Sequence, residues 1–266
     1  MTTVTRIAKD SSALAWRNLL AIRRTPGSIF ASVLQPIMFV LLLGYVFGGS
    51  LGGDAYREFV MGGIFAQTVT FNASFTTIGL ANDLQKGVVD RFRALPMSRV
   101  AVMLGRTTSD LTTSVISLLV TSLCGLAIGW RIRGDPLDAA LGYLLILLFA
   151  FAMSWVGAFI GLIARSVEVA QSLGLIWLFP ATFISSGFVS VTAMPEPLAT
   201  IAEWNPITAL ANAARELFAN PTPAALPQPH GWPAHNAILY SALCSLGLIA
   251  LFMTLAVARY RRVAAR

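Results

Sequence analysis

The stretch from Asn82 to Arg106, NDLQKGVVDRFRALPMSRVAVMLGR, concentrates seven charges (Asp83, Lys86, Asp90, Arg91, Arg93, Arg99 and Arg106) between flanks that hold almost none. Asp83, Lys86, Asp90 and Arg93 recur at helical spacing, so opposite charges can pair along one face. Leu84, Val88, Phe92 and Leu95 fall on the opposite face. An apolar stripe framed by charges is what a helix uses to seat in a partner's groove. It equally suits a helix lying on a membrane or packed under its neighbour, and spacing leaves these readings open. Gly87 weakens the helix, and Pro96 ends it. A second polar set lies just upstream: Gln67, Thr70, Ser74 and Thr77 share one helix face, with Asn72 and Thr76 nearby. Such a face can line a path for a moving solute or tie helices together by hydrogen bonds.

The elements that must position these residues are apolar and long. Of 266 residues, 56% are hydrophobic and 12% charged, against roughly 45 to 50% and 25% in a soluble domain. Six runs are each long enough to cross a bilayer core as helices: Ile29 to Gly48 (29-48), Phe59 to Ala81 (59-81), Leu111 to Trp130 (111-130), Ala139 to Ala164 (139-164), Val169 to Val191 (169-191) and Asn236 to Ala258 (236-258). None of the six contains Asp, Glu, Lys, Arg or His. Alternate polar segments hold 15 of the 19 basic residues, which places both termini in the cytoplasm by the positive-inside rule. The net charge of +7 therefore reports topology and not nucleic-acid binding. No cleavable signal is expected before the first run, and the expected address is the inner membrane of a bacterial cell.

Asp10 to Arg24 reads as an amphipathic helix on the membrane surface, with Trp16 at the interface; a solvated basic tail is the plainer alternative. Pro36 inside the first run is expected to kink it. Gly44 with Gly48, Gly125 with Gly129 and Gly157 with Gly161 have the spacing that lets helix backbones approach, and packing within one subunit is the expected use. The external connection 190-234 carries eight of the thirteen prolines. Inside it Asn205-Pro206 reads as a cap and first turn, followed by Ile207, Leu210, Ala211, Ala214, Leu217 and Phe218 at helical spacing. Cys124 and Cys244 lie in apolar runs, and His230 and His235 have no partner at ligand spacing, so neither a disulfide nor a metal site is expected. There is no GxxxxGK[ST] phosphate loop and no GxSxG elbow or HExxH pair. The chain is thus expected not to be an enzyme.

The run GVVDRFRALPMSRVAVMLGR, the entry segment WRNLLAIRRTP and the NPIT stretch before the last run together resemble the ABC type-2 export permeases, in particular the daunorubicin/doxorubicin-resistance branch. The resemblance covers essentially the whole chain. It implies an all-α integral membrane protein with six spans, an N-terminal elbow helix within residues 1-28, a cytoplasmic coupling helix in the loop 82-106, short external re-entrant helices before the last span, and a cytoplasmic tail at 259-266. Carried over by residue, Asp83, Leu84, Gly87, Val88, Asp90, Arg91, Phe92, Leu95 and Pro96 would couple to an ATPase, with Gly87, Asp90, Arg91, Leu95 and Pro96 the matching motif positions. Gln85 and Val89 stand where many relatives are more acidic. The implied partners are a nucleotide-binding ATPase subunit and a second permease, identical or related. That ATPase would bind ATP and Mg, so this chain needs no cofactor. The candidate translocation path is Gln67, Thr70, Asn72, Ser74 and Thr77, and the expected cargo is hydrophobic or amphipathic, such as drugs or lipid-linked compounds. The rival reading is an ion-coupled secondary transporter, which usually carries ionisable groups inside its spans.

Overall fold

A computed structural model describes residues 26–51, 53–87, 99–220, 222 and 231–263, and these are helical throughout with no strand. In chain order the elements are α1 (Pro26–Phe39), a π-helical segment (Val40–Val46), α2 (Phe47–Leu51), α3 (Gly53–Gln85), α4 (Arg99–Ala127), α5 (Pro136–Ile163), α6 (Val167–Phe183), a 3₁₀ turn (Val191–Ala193), α7 (Glu196–Glu203), α8 (Pro206–Leu217), α9 (Trp232–His235) and α10 (Ala237–Val263). The expected surface helix at Asp10 to Arg24 lies outside the described residues.

By length and composition four helices are long and apolar enough to cross a membrane: Ser32–Gly49, Met103–Ala127, Pro136–Ile163 and Ala237–Arg262. The other two expected spans differ for distinct reasons. Helix α3 is the longest element at 33 residues but is polar, and it can be so because the protein wraps it. From Glu58 to Ala73 every residue is buried, held between α5, α8, α6 and α4. Lipid never meets most of its surface, so its side chains need protein partners and not apolarity. Helix α6 is apolar but has 17 residues, about 25 Å of helix.

The run read as 169-191 is therefore not one helix: it stops at Phe183, and Ile184 to Ser190 turn inward. The cause sits 20 residues on in sequence. Asn205 donates its side-chain amide to the carbonyls of Ala181 (2.6 Å) and Ile184 (2.7 Å), oxygens that a continuing helix would have used. The same side chain accepts from Ile207 N (2.9 Å) and caps α8 as expected.

The run read as 111-130 also shifts. Its helix starts at Arg99 and ends at Ala127, and Gly129, at φ +103°, releases Trp130 from the helix. Trp130 is fully buried and packs edge-on to Phe65 and Phe218, with its Nε1 donating to Asn220 Oδ1 at 2.7 Å.

The kink expected at Pro36 is accommodated differently. Proline removes the N–H that would bond the Ser32 carbonyl. In lipid that oxygen needs another donor, and Ser117 Oγ of α4 supplies one at 3.2 Å. The helix then loosens into the π-helical segment from Val40.

Of the spaced glycines, Gly157 and Gly161 serve contacts within the chain, whereas Gly129 faces open space. A Cβ at Gly157 would strike the Ala73 carbonyl, and one at Gly161 would sit 2.7 Å from the Thr77 carbonyl. Small residues on α5 thus let its backbone rest directly on α3. The described charges separate to the two ends of the bundle. Lys86, Arg106, Arg165, Arg259, Arg261 and Arg262 lie at the end where α3 finishes, with Asp83, Asp110 and Glu168. The end where α3 begins is acidic on balance.

Candidate functional site

The residues expected to couple lie only partly within the described structure. Val88, Asp90, Arg91, Phe92, Leu95 and Pro96 fall outside it. Asp83 and Leu84 belong to the last turn of α3, and Gly87 follows at φ +65°. Lys86 N donates to Asn82 O (3.0 Å) and Gly87 N to Leu84 O (3.1 Å), so Gly87 closes α3 as a left-handed C-terminal residue. A single helix from Asp83 to Pro96 is thereby corrected: a left-handed residue breaks it at Gly87. Leu84 packs with Leu80, Met103 and Trp155 in a small apolar cluster between helices.

Asp83 was expected to pair with Lys86. Its Oδ2 instead faces Arg106 Nη1 of α4 at 3.2 Å. Arg106 Nε also lies 3.5 Å from Asp110 Oδ1, an ion pair without hydrogen-bond alignment. Thr76 Oγ1 donates to Asp110 Oδ2 at 2.7 Å, and Asn72 Nδ2 to Ser114 Oγ at 3.3 Å. Arg106 and Asp110 sit inside the long apolar helix Met103–Ala127. The expectation that no ionisable group lies within a span is therefore corrected, because α4 starts twelve residues before the apolar run does and carries Arg106 and Asp110 of that extension into the bundle.

The candidate path residues are dispersed around α3. Gln67, Thr70 and Thr77 are buried among the helices. Thr70 Oγ1 donates to the Ala66 carbonyl at 2.7 Å, and Thr77 Oγ1 shares its hydrogen between the carbonyls of Ala73 and Gly157 at 3.0 Å each. Ser74, half-buried, donates to Phe71 O at 2.7 Å. Asn72 points to α4 as above. Gln67 Nε2 is buried without a hydrogen-bond partner, the one amide of the set whose donor is unused.

At the opposite end of α3 lies Arg215, which no spacing or motif had singled out. This residue of α8 is 3% exposed, with its guanidinium 3.7 Å over the Phe59 ring. Nε donates to Phe59 O (2.8 Å), Nη2 to Ser186 O (2.8 Å) and Gly187 O (3.1 Å), and Nη1 to Asn212 Oδ1 (2.7 Å). Every acceptor is neutral. Burial pushes its pKa down to about 9, which still leaves it protonated at neutral pH. The loop it grips presses Gly187 against Gly63 of α3 so closely that a Cβ at Gly63 would overlap the Gly187 backbone. Beside it, Glu58, 5% exposed, takes a two-pronged contact from Arg133, 60% exposed, at 2.6 Å (Nη2) and 3.0 Å (Nε). The hydrogen bonds and charge of Glu58 hold the Arg133 pKa above its ordinary value. Helix α8, in the connection read as external, buries Thr208 and Arg215 as well as its apolar side. It is a structural member of the bundle.

Long apolar helices packed around a polar central helix fit a multi-pass membrane protein. The chain belongs to the ABC-2 type transporter family, whose model matches residues 10–219. It is 32% identical to the daunorubicin resistance ABC transporter permease protein DrrB1 of Streptomyces coeruleorubidus, over 92% of this chain and 84% of that protein. It is also 22% and 23% identical to the transport permease ycf38 of Porphyra purpurea and of Pyropia yezoensis, in each case over 80% of this chain and 75% of the relative.

Proposed function

We propose that this chain is the membrane subunit of an exporter driven by ATP hydrolysis on a separate subunit, moving hydrophobic or amphipathic molecules out of the cytoplasm of a bacterial-type cell. The observation that carries the reading is the similarity to the daunorubicin resistance permease along nearly the whole of both chains. In this reading both termini and the Asp83 end of the bundle face the cytoplasm, as the gathering of basic residues there supports. The loop 82–106 meets the ATPase through Val88, Phe92 and Leu95, framed by Gly87, Asp90, Arg91 and Pro96. A second copy of the chain, or a related permease, completes the path. ATP and Mg belong to the ATPase, and this chain has no catalytic role of its own.

The test is co-expression with the ATPase subunit. Val88→Asp with Phe92→Asp is expected to release that subunit from the membrane by about tenfold or more, the range of a lost apolar anchor at an interface. Unchanged retention sinks the docking role of the ridge. One observation favours the rival, ion-coupled reading: Asp110 lies inside an apolar helix. Daunorubicin efflux that survives ATP depletion and stops with a protonophore would select that reading instead.

A further inference from the structure

The polar residues joining α3 to α4 form a single seam. On α3 they are Asn72, Thr76, Gly79 and Asp83, spaced four, three and four apart, which is one stripe of a helix. On α4 they are Arg106, Asp110 and Ser114, spaced four and four. Because the helices run antiparallel, the stripes meet rung by rung: Asn72 with Ser114, Thr76 with Asp110, and Asp83 with Arg106. Gly79 is the rung without a side chain. A Cβ there would collide with the Arg106 guanidinium, whose Nη2 also approaches the Phe75 carbonyl at 3.5 Å. The stripe is thus shaped around one arginine.

Its position relates it to the loop. Asp83 and Arg106 are separated by 23 residues of chain and bracket the segment that leaves α3 at Gly87. Their ion pair closes the base of that loop. Without it, the described side chains that pack at this level are the apolar ones of Leu80, Leu84, Met103 and Leu104, whose contacts are non-directional and allow sliding. With it, charge-assisted contacts tie the last turn of α3 to the first turns of α4.

We infer that the Asp83–Arg106–Asp110–Thr76 seam is the positioning element that makes α3 and α4 move as one when the loop between them is displaced. Arg106 acts through the helices it joins and touches neither cargo nor nucleotide. This rests on the exporter reading above, in which a motor pushes on that loop; it adds where the push enters the bundle.

The experiment uses the full chain with its ATPase subunit in proteoliposomes, with daunorubicin as the transported probe. Three quantities are measured: ATPase subunit retained, ATP hydrolysed, and daunorubicin moved per ATP. Thr76→Val and Arg106→Gln are expected to retain the ATPase as the wild type does, yet to move about fivefold less probe per ATP or lower, the scale of a typical coupling free energy between sites. Arg106→Lys, which keeps the charge but loses the fork, is expected to fall between. Wild-type transport per ATP in both variants overturns the inference. So does loss of bound ATPase in proportion to lost transport, which would mean that the seam only places the loop. If Arg106→Gln does not fold, Thr76→Val decides, since it leaves Arg106 paired with Asp83 and Asp110. Failure of the wild type to bind the ATPase, or to move the probe with ATP, fails the exporter reading before any variant is compared.

Discussion

At one end of α3, Arg215 gives its donors to the carbonyls of Phe59, Ser186 and Gly187 and to Asn212, all uncharged, in a place closed to water. At the other end, Arg106 sits between two carboxylates, Asp83 and Asp110, with its side chain 19% exposed. The first arrangement is held by direction. Each carbonyl accepts along its own lone pairs, so any shift of α8 or of the 184–190 loop strands several groups at once, and an unmade buried hydrogen bond costs about 1 to 3 kcal/mol. The second is held by charge. Attraction between ions falls off gently with distance, and partial exposure lowers it. One end of α3 is therefore locked, and the other is joined but able to adjust. A bundle that must respond to displacement of the loop beyond Gly87 has its adjustable contacts at the end where that loop emerges.

The comparison can be broken by melting the purified chain in detergent. The largest effect is expected from Arg215→Met, which strands the Phe59, Ser186 and Gly187 carbonyls. Several kcal/mol at about 2 to 4 °C each should lower Tm by roughly 5 to 10 °C, and Arg215→Lys should recover little because an ammonium cannot span the same acceptors. Asp83→Asn should cost about 1 kcal/mol, a few degrees at most. Its deficit should shrink in molar salt as the ion pair is screened, whereas that of Arg215→Met should not. A larger drop for Asp83→Asn, or equal salt sensitivity, would erase the distinction drawn between the ends. The smallest change is expected for Ser114→Ala at the far rung of the seam, about 0.6 kcal/mol, the average for a hydrogen bond between membrane helices.

Much of the outline was legible in the residues. Apolar runs located four of the long helices because lipid demands apolarity over a fixed length, and Asn205-Pro206 marked the start of α8 because capping is local chemistry. Which stripe of α3 meets which neighbour was not legible, for a reason that lies in geometry. Gln67, Thr70, Ser74 and Thr77 share a face of α3, but that helix is surrounded on all sides, so no face is privileged by exposure. The stripe that meets charged neighbours is Asn72, Thr76 and Asp83 instead, and its partners Arg106, Asp110 and Ser114 lie about 30 residues on in sequence. Nothing periodic in either segment alone says that the two stripes face each other.

What the sequence by itself determined is the class of molecule, the approximate extents of its helices, the side on which its positive charge gathers and the family to which it belongs. These follow from hydropathy, local capping and motif identity, each readable within a few turns of chain. Tertiary structure alone decided that α6 ends at Phe183, that Gly63 and Gly187 touch backbone to backbone, that Arg215 is buried among neutral oxygens, and that Arg106 joins Asp83 across the base of a loop. Each of these rests on contacts between residues more than 20 apart in the chain, and such contacts are fixed by how the helices pack rather than by the residues of any one segment.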